Sequence, residues 1–210
     1  MVKTKSGATV AVGKYFEAKY PYSVKGSSIG FGAGAEERLQ LIAACVTPLS
    51  GKSLCDLGCG SGVLVEGLIR IAGIPTKLLL VDISNTAILM AVKRLSRYQM
   101  VLESSSQDAL LGSGGHRHDI VLAIGLSDYY EDWDELLTVV LGYARELTII
   151  DFPRSWRPRN LLRRLWLWRN GVSLRTTSYG ELCRFLDRHA VSYSIERSQY
   201  NWIVQIFRAQ

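Results

Sequence analysis

Residues 54–62 read L-C-D-L-G-C-G-S-G, and Asp82 stands twenty residues beyond the last of these glycines. Two carboxylates and three alternating glycines at this spacing can do binding chemistry. The glycines let backbone approach a ligand, and the acids can hold a cation and a sugar. A nucleoside triphosphate does not suit the loop, because Gly62 is followed by Val63 and Leu64 where a phosphate loop carries lysine and a hydroxyl. A dinucleotide does not suit it either. The third glycine of G-x-G-x-x-G falls on Val63 counted from Gly58, and on Val65 counted from Gly60. Asp56 stands close to where a pyrophosphate would sit; it repels an anion and suits a positive group. Asp82 ends the next apolar run, where a carboxylate can accept both hydroxyls of a ribose. The ligand these residues ask for has a free ribose, no phosphate and a cation. S-adenosylmethionine, with its ammonium and sulfonium, fits.

The elements that must position these acids alternate along the chain. Residues 33–46 have Leu39, Ile42, Ala43 and Val46 at helical spacing. S-L-C-D-L predicts a strand, V-L-V-E-G-L-I-R-I-A a helix, K-L-L-L-V-D a strand and N-T-A-I-L-M-A-V-K-R-L a helix. M-V-L-E-S, D-I-V-L-A-I-G and L-T-I-I-D-F-P predict further strands, with D-E-L-L-T-V-V-L-G-Y-A a helix between the last two. Strands apolar on both faces, alternating with helices, mean a buried and mostly parallel sheet with right-handed crossovers. In the tail, V-S-Y-S-I-E-R and W-I-V-Q-I-F-R alternate with period two across S-Q-Y-N, a hairpin whose last strand runs antiparallel. The helix before it is capped by Ser178 with Glu181 three residues on. The expected fold is α/β: a Rossmann-like, mostly parallel seven-stranded sheet with helices on both faces and an antiparallel last strand.

This pattern resembles the class I S-adenosylmethionine-dependent methyltransferases over about residues 50–152. L-C-D-L-G-C-G-S-G matches their glycine-rich first motif, L-L-L-V-D-I-S the acidic second motif, S-Q-D-A the adenine-binding segment, and D-I-V-L-A-I-G-L-S-D-Y-Y the fourth strand with its loop. Among subgroups, I-G-L-S-D-Y-Y-E-D-W-D-E-L-L is most similar to bacterial small-molecule methyltransferases of biosynthetic clusters. The resemblance implies that Gly58, Gly60 and Gly62, with Cys59 among them, pass under the methionine part of the cofactor. It implies that Asp56 contacts the ammonium and Asp82 the ribose, with Ile83 packed on the adenine. Gln107, Asp108 and Ala109 would frame the adenine, with Asp108 on its amino group. Gly125 and Leu126 would line the far wall near the sulfonium. The alternative for the glycines is a tight turn with no ligand.

Methyl transfer is an in-line displacement, and orientation alone can supply roughly 7–11 kcal/mol. A protein base is needed only where the acceptor must lose a proton. Ligands bind at the C-terminal edge of such sheets. His116 and His118 precede the fourth strand and His189 the sixth, so the histidines are expected on the surface at the opposite edge. The right edge offers Ser127, Asp128, Tyr129 and Tyr130, then Asp151 and Arg154. Asp128 is the candidate acid or base and Tyr129 its neighbour on the acceptor. The alternative for Asp128 is capping the helix that begins near Asp132.

Two flanking stretches bear on the acceptor. Residues 15–31 are rich in aromatics; Tyr15, Phe16, Tyr20, Tyr22 and Phe31 either face the cofactor and substrate or pack against the helix at 33–46. Residues 1–46 are thus read as an N-terminal helical lid or cap. Residues 153–176 follow the fifth strand as a substrate-side insertion, with Arg154 and Trp156 as substrate contacts. Six arginines and three tryptophans crowd residues 153–170, and Leu161, Leu162, Leu165, Trp166 and Trp168 make an apolar helical side. Three readings compete: a helix covering the sheet edge, a pocket for an anionic or aromatic molecule, and a membrane-surface helix serving a lipid-like acceptor.

The expected activity is methyl transfer from S-adenosylmethionine to a small-molecule acceptor in a biosynthetic pathway. An RNA or lipid-like acceptor is one alternative, and a non-catalytic regulator that binds the cofactor is another. Nucleic acid is disfavoured because the arginines cluster beside tryptophans and L-S-D-Y stands where base-amino methyltransferases carry an N-P-P-Y-like tetrad. With 210 residues, 48% of them apolar, the chain makes one domain. Four cysteines without a CxxC pair read as reduced packing residues of a cytoplasmic protein, and no metal is called for. The N-terminus lacks a signal-peptide core, and no run reaches the roughly 18 apolar residues of a spanning helix.

Overall fold

The computed structural model describes Glu17 and residues 33–111, 115–169, 174–189 and 191–208. Tyr15, Phe16, Tyr20, Tyr22 and Phe31 lie outside the described residues. The elements are α1 (Ala33–Val46), β1 (Ser53–Leu57), α2 (Val63–Ala72), β2 (Lys77–Asp82), α3 (Asn85–Leu95), β3 (Val101–Ser106), β4 (His118–Ala123), α4 (Trp133–Tyr143), β5 (Ala144–Pro153), α5 (Pro158–Arg169), α6 (Tyr179–Arg188), β6 (Ser192–Arg197) and β7 (Asn201–Phe207). Short 3-10 turns at Ala109–Leu111 and Ser127–Tyr129 follow β3 and β4.

The strands form one seven-stranded sheet in the order β3-β2-β1-β4-β5-β7-β6. β1 to β5 pair in parallel, and β7 runs antiparallel between β5 and β6. The order reverses between β1 and β4, so the loops after them diverge and open a crevice at the C-terminal edge, the usual ligand position in such sheets.

Alternate strand residues feed two cores. On one face Leu54, Leu78, Leu80, Ile120, Leu122 and Ile149 pack under α1, α2 and α3. On the other, Cys55, Leu57, Val81, Val121, Ile150 and Phe152 pack under α4 and α6. Trp133, Phe152 and Phe185 meet edge to face there, the first two with centroids 4.7 Å apart. Helix starts are fixed locally. Ser84 Oγ accepts from Ala87 N–H and caps α3, Asp132 accepts from Glu135 N–H and caps α4, and Ser178 forms a reciprocal capping box with Glu181.

One expectation is corrected, and one of the three readings of residues 153–170 loses support. His118 is not a surface residue: it opens β4 and is 2% exposed, because β4 is a central strand and its first residue is already covered. The described part of the apolar side of α5 does not cover the sheet edge. Leu162, Leu165 and Trp168 are 70%, 59% and 72% exposed. The polar Asn160 is turned inward instead, donating to the carbonyls of Arg154 and Tyr200, and this puts Leu162, two positions on, on the outer side of the helix.

Candidate active site

Asp56 and Asp82 sit at the C-terminal ends of the neighbouring strands β1 and β2 and are both buried. Burial, reinforced by the charge of Asp82, pushes the Asp56 carboxyl up to about 7. Burial raises that of Asp82 too, opposed by the main-chain N–H groups of Ser84 and Gly60, each of which donates to it at 2.8 Å. No described lysine or arginine forms an ion pair with either acid. Among the described residues the edge therefore carries negative charge with no paired cation, which favours a cationic ligand and opposes a phosphate.

The glycine loop is curled over the end of β2. The N–H groups of Gly58 and Cys59 both donate to the Val81 carbonyl, at 2.7 and 3.1 Å. Gly58 has a φ of 75°, and a Cβ on it would lie 3.1 Å from Leu126 Cδ1, so glycine is required for the loop to meet the loop after β4. Gly60 and Gly62 share the left-handed conformation. Arg94 holds the loop from α3, donating to the Ser61 carbonyl at 2.9 Å and to Glu66 at 2.8 Å. The thiols of Cys55 and Cys59 are buried and held well above their usual range by desolvation first and the nearby carboxylates second, so they form apolar wall and are not nucleophiles.

Beyond Asp82, Ile83 is half-buried and Gln107 N–H donates to the Asp82 carbonyl at 3.0 Å. Asp108 accepts from Leu110 N–H at 3.0 Å and from the Tyr130 hydroxyl at 2.5 Å, and Ala109 is buried. Glu17 docks beside this segment, accepting from the hydroxyls of Ser84 and Thr86. Across the crevice Gly125 and Leu126 are half-buried, and Gly125 N–H donates to Asp151. The structure thus brings together Asp56, Gly58, Cys59, Gly60, Gly62, Asp82, Ile83, Gln107, Asp108, Ala109, Gly125 and Leu126 around one edge.

Asp128 is buried in the turn after β4 and Tyr129 is half-buried beside it. Asp128 does not cap the helix that follows; Asp132 does. Arg154 lies at the same edge, just past β5. Trp156 stands on the surface, 87% exposed, with a left-handed φ of 62°. His116 is exposed, and His189 pairs at 2.9 Å with Asp134 in the first turn of α4. Sequence reasoning missed Tyr130 as the partner of Asp108, and Arg38 and Asn201 as partners of Asp151. The adjacent tyrosines in L-S-D-Y-Y were a signal for the first; the other two contacts join residues too distant in sequence to be read there. Among the described residues there is no cluster of metal-ligating side chains, and no helix is long and apolar enough to cross a membrane.

Solved structures share this fold. Magnesium protoporphyrin IX methyltransferase from Synechocystis, with bound S-adenosylhomocysteine, superposes with a TM-score of 0.75 at 17% identity, covering 95% of this chain and 99% of that one. The DhpI–S-adenosylhomocysteine complex gives 0.72 at 14% identity, covering 98% of each chain. The chain has the class I methyltransferase fold. The N-methyltransferase NodS from Bradyrhizobium japonicum agrees, with a TM-score of 0.69 at 14% identity over 93% of this chain and 99% of that one. No protein-family model and no curated sequence matches the chain. Within the class I fold, β7 between β5 and β6 is the antiparallel strand expected from the hairpin tail.

Proposed function

We propose that the chain is an enzyme that transfers a methyl group from S-adenosylmethionine to a small-molecule acceptor. The observation that carries this reading is the pair Asp56 and Asp82: two buried acids without a described cation, flanking a glycine loop. The residues fit the cofactor. Asp56 would hold its ammonium, Asp82 its ribose, Ile83, Gln107, Asp108 and Ala109 its adenine, and the backbone at Gly58, Cys59, Gly60 and Gly62 its methionine part. Bound there, S-adenosylmethionine supplies a methyl carbon already activated by its sulfonium. The chain's own work is then orientation and exclusion of water, with Gly125 and Leu126 as far wall. Asp128 and Tyr129, in the loop after β4, would receive or hold the acceptor's proton where one must leave.

One similar protein is named as a methyltransferase of magnesium protoporphyrin IX, itself a small molecule, which supports that acceptor class. The reading includes a biosynthetic role in the cytoplasm, with residues 1–46 as a lid and 153–176 as the acceptor side of a single domain. Calorimetry with S-adenosylhomocysteine, with NAD as control, tests it on the wild type and Asp82→Ala. Binding that the substitution abolishes supports the donor; absence of binding by the wild type overturns it.

A lipid-like acceptor is the second reading, favoured by the exposed Leu162, Leu165 and Trp168 beside the exposed Arg164 and Arg169. Co-sedimentation with anionic vesicles tests it, and no binding removes it.

A further inference from the structure

The turn between β6 and β7, the chain just past β5 and the first part of α1 border an open surface cleft of about 410 Å³. Its lining is Glu37, Arg154, Arg157, Arg197, Ser198 and Gln199. Three guanidinium groups therefore converge on a space that holds one carboxylate.

Arg154 is the deepest of them, only 9% exposed. Its Nη1 donates to the carbonyls of Ser198 at 2.7 Å and Gln199 at 3.3 Å, and its guanidinium lies over the Trp202 ring, 4.6 Å from the centroid. Its Nε is buried and has no hydrogen-bond partner among the described residues. Burial first, then the charges of Arg157 and Arg197, lower its pKa, and Glu37 only opposes them. Glu37 is a fixed part of the wall, because its carboxylate accepts from Gln199 N–H at 2.8 Å. Arg157 donates its Nε to the Gln199 carbonyl at 3.1 Å, and its two terminal amino groups form no hydrogen bond with the described residues. Arg197 is exposed at the rim. A helix or turn stabilised by solvated arginines would leave no donor stranded in the interior. A guanidinium fork presents paired donors that match the oxygens of a carboxylate or phosphate.

We infer that this cleft binds the anionic group, a carboxylate or a phosphate, of the methyl acceptor. That the occupant is the acceptor rests on the methyltransferase reading; that it is an anion does not. Pro153 at the end of β5 pairs with Asn201 at the start of β7, so the cleft lies at the same sheet edge as the glycine loop. β5 is two strands from β1. At about 4.8 Å per strand the cleft is roughly 10 Å or more from the loop, which sets the separation between the acceptor's nucleophile and its anionic group. The cleft also adjoins the far wall directly: Arg38, next to Glu37, pairs with Asp151 at 3.1 Å, and Asp151 holds Gly125.

The test follows the arginine Nε–H signals of the protein saturated with S-adenosylhomocysteine by NMR during titration with inorganic phosphate and, separately, with benzoate. The inference expects saturable shifts at Arg154 and Arg197 with at least one anion, and none at the exposed Arg117. The tighter anion identifies the acceptor's charged group. Arg157→Gln combined with Arg197→Gln, both away from the buried core, weakens that binding about tenfold and leaves S-adenosylhomocysteine affinity unchanged. Shifts at Arg154 and Arg197 in the wild type no larger than at Arg117, or an Arg154 shift unaffected by the double substitution, overturn the inference. Anion shifts that persist in a protein failing to bind S-adenosylhomocysteine would uphold the anion site and overturn the methyltransferase reading instead.

Discussion

The main-chain N–H of Gly125 donates to the Asp151 carboxylate at 2.6 Å. Gly125 opens the far wall of the crevice, and Asp151 is fully buried on the adjacent β5. The same carboxylate accepts from Arg38 on α1 at 3.1 Å and from the Asn201 amide at the start of β7. One buried charge thus fixes a site loop, a helix and the antiparallel strand relative to one another. Breaking such a pair costs more than it contributes, because the remaining partner is left buried and uncompensated.

Asp151→Asn should therefore destabilise the protein by about 2–4 kcal/mol in urea unfolding, somewhat below the full cost of a buried pair because the Arg38 side chain is 28% exposed. Adding Arg38→Met should recover part of the loss. Strict additivity of the two substitutions would show that the pair is not coupled.

Asp56 should make cofactor binding depend on pH. Its carboxyl is pushed up to about 7 in the free protein, and a bound ammonium needs it ionised. Affinity for S-adenosylhomocysteine should rise with pH up to about 7 and then level, and Asp56→Asn should flatten the profile and weaken binding. The folded pKa lies above the ordinary 3.8, so the free protein's stability from this group is present at acid pH and lost as pH rises through about 7. Asp56→Asn should accordingly raise the melting temperature of the free protein at about pH 8. Calorimetry and thermal unfolding over the same pH series check both halves.

The strand and helix pattern was legible because the central strands β1, β2, β4 and β5 are mostly apolar on both faces, the tail strands alternate with period two, and α3, α4 and α6 carry their own side-chain caps. Asp56 and Asp82 were legible for the same local reason: each ends an apolar run. The apolar run places the start of β5 at Leu147, whereas the strand begins at Ala144, because the polar Arg145 and Glu146 extend its exposed end. The burial of His118 was hidden because its neighbours in sequence are polar, and only the position of β4 between β1 and β5 covers it. The partnership of Arg38 with Asp151 spans 113 residues, and the convergence of Arg154 and Arg197 depends on the β6–β7 turn folding back on β5. Such contacts are made by the assembled sheet and have no signature in a local window.

His118 should set an acid limit to stability. Both ring nitrogens are buried without a hydrogen-bond partner among the described residues, and burial first, then Lys77, lowers its pKa below 6.5. Glu103 and Asp119 oppose that shift, and Arg145 adds to it. The unfolded chain then binds a proton that the folded chain refuses. The contribution is intact above 6.5 and is lost as pH falls below it. His118→Leu, which removes the stranded ring nitrogens, should reduce the drop in urea midpoint between about pH 7.5 and about pH 5.5. An equal drop in both proteins would place the acid sensitivity elsewhere.

Tyr130 should act on the cofactor through Asp108. Its hydroxyl donates to the Asp108 carboxylate at 2.5 Å, and burial, with Asp108 beside it, raises the phenol's pKa well above the usual value, so it stays a donor throughout the working range. Without it, Asp108 keeps, among the described residues, only the Leu110 N–H at 3.0 Å and can turn away from the adenine position. A hydrogen bond to a charged group contributes about 1.5–3 kcal/mol, and the half-buried site takes the lower end. Tyr130→Phe should then weaken S-adenosylhomocysteine binding about tenfold. Asp108→Ala should weaken it at least as much. In the Asp108→Ala background Tyr130→Phe should have almost no further effect, because the tyrosine acts by holding the carboxylate. Calorimetry on the four proteins of this cycle measures the coupling. A full tenfold loss from Tyr130→Phe in both backgrounds would mean that the tyrosine meets the ligand itself.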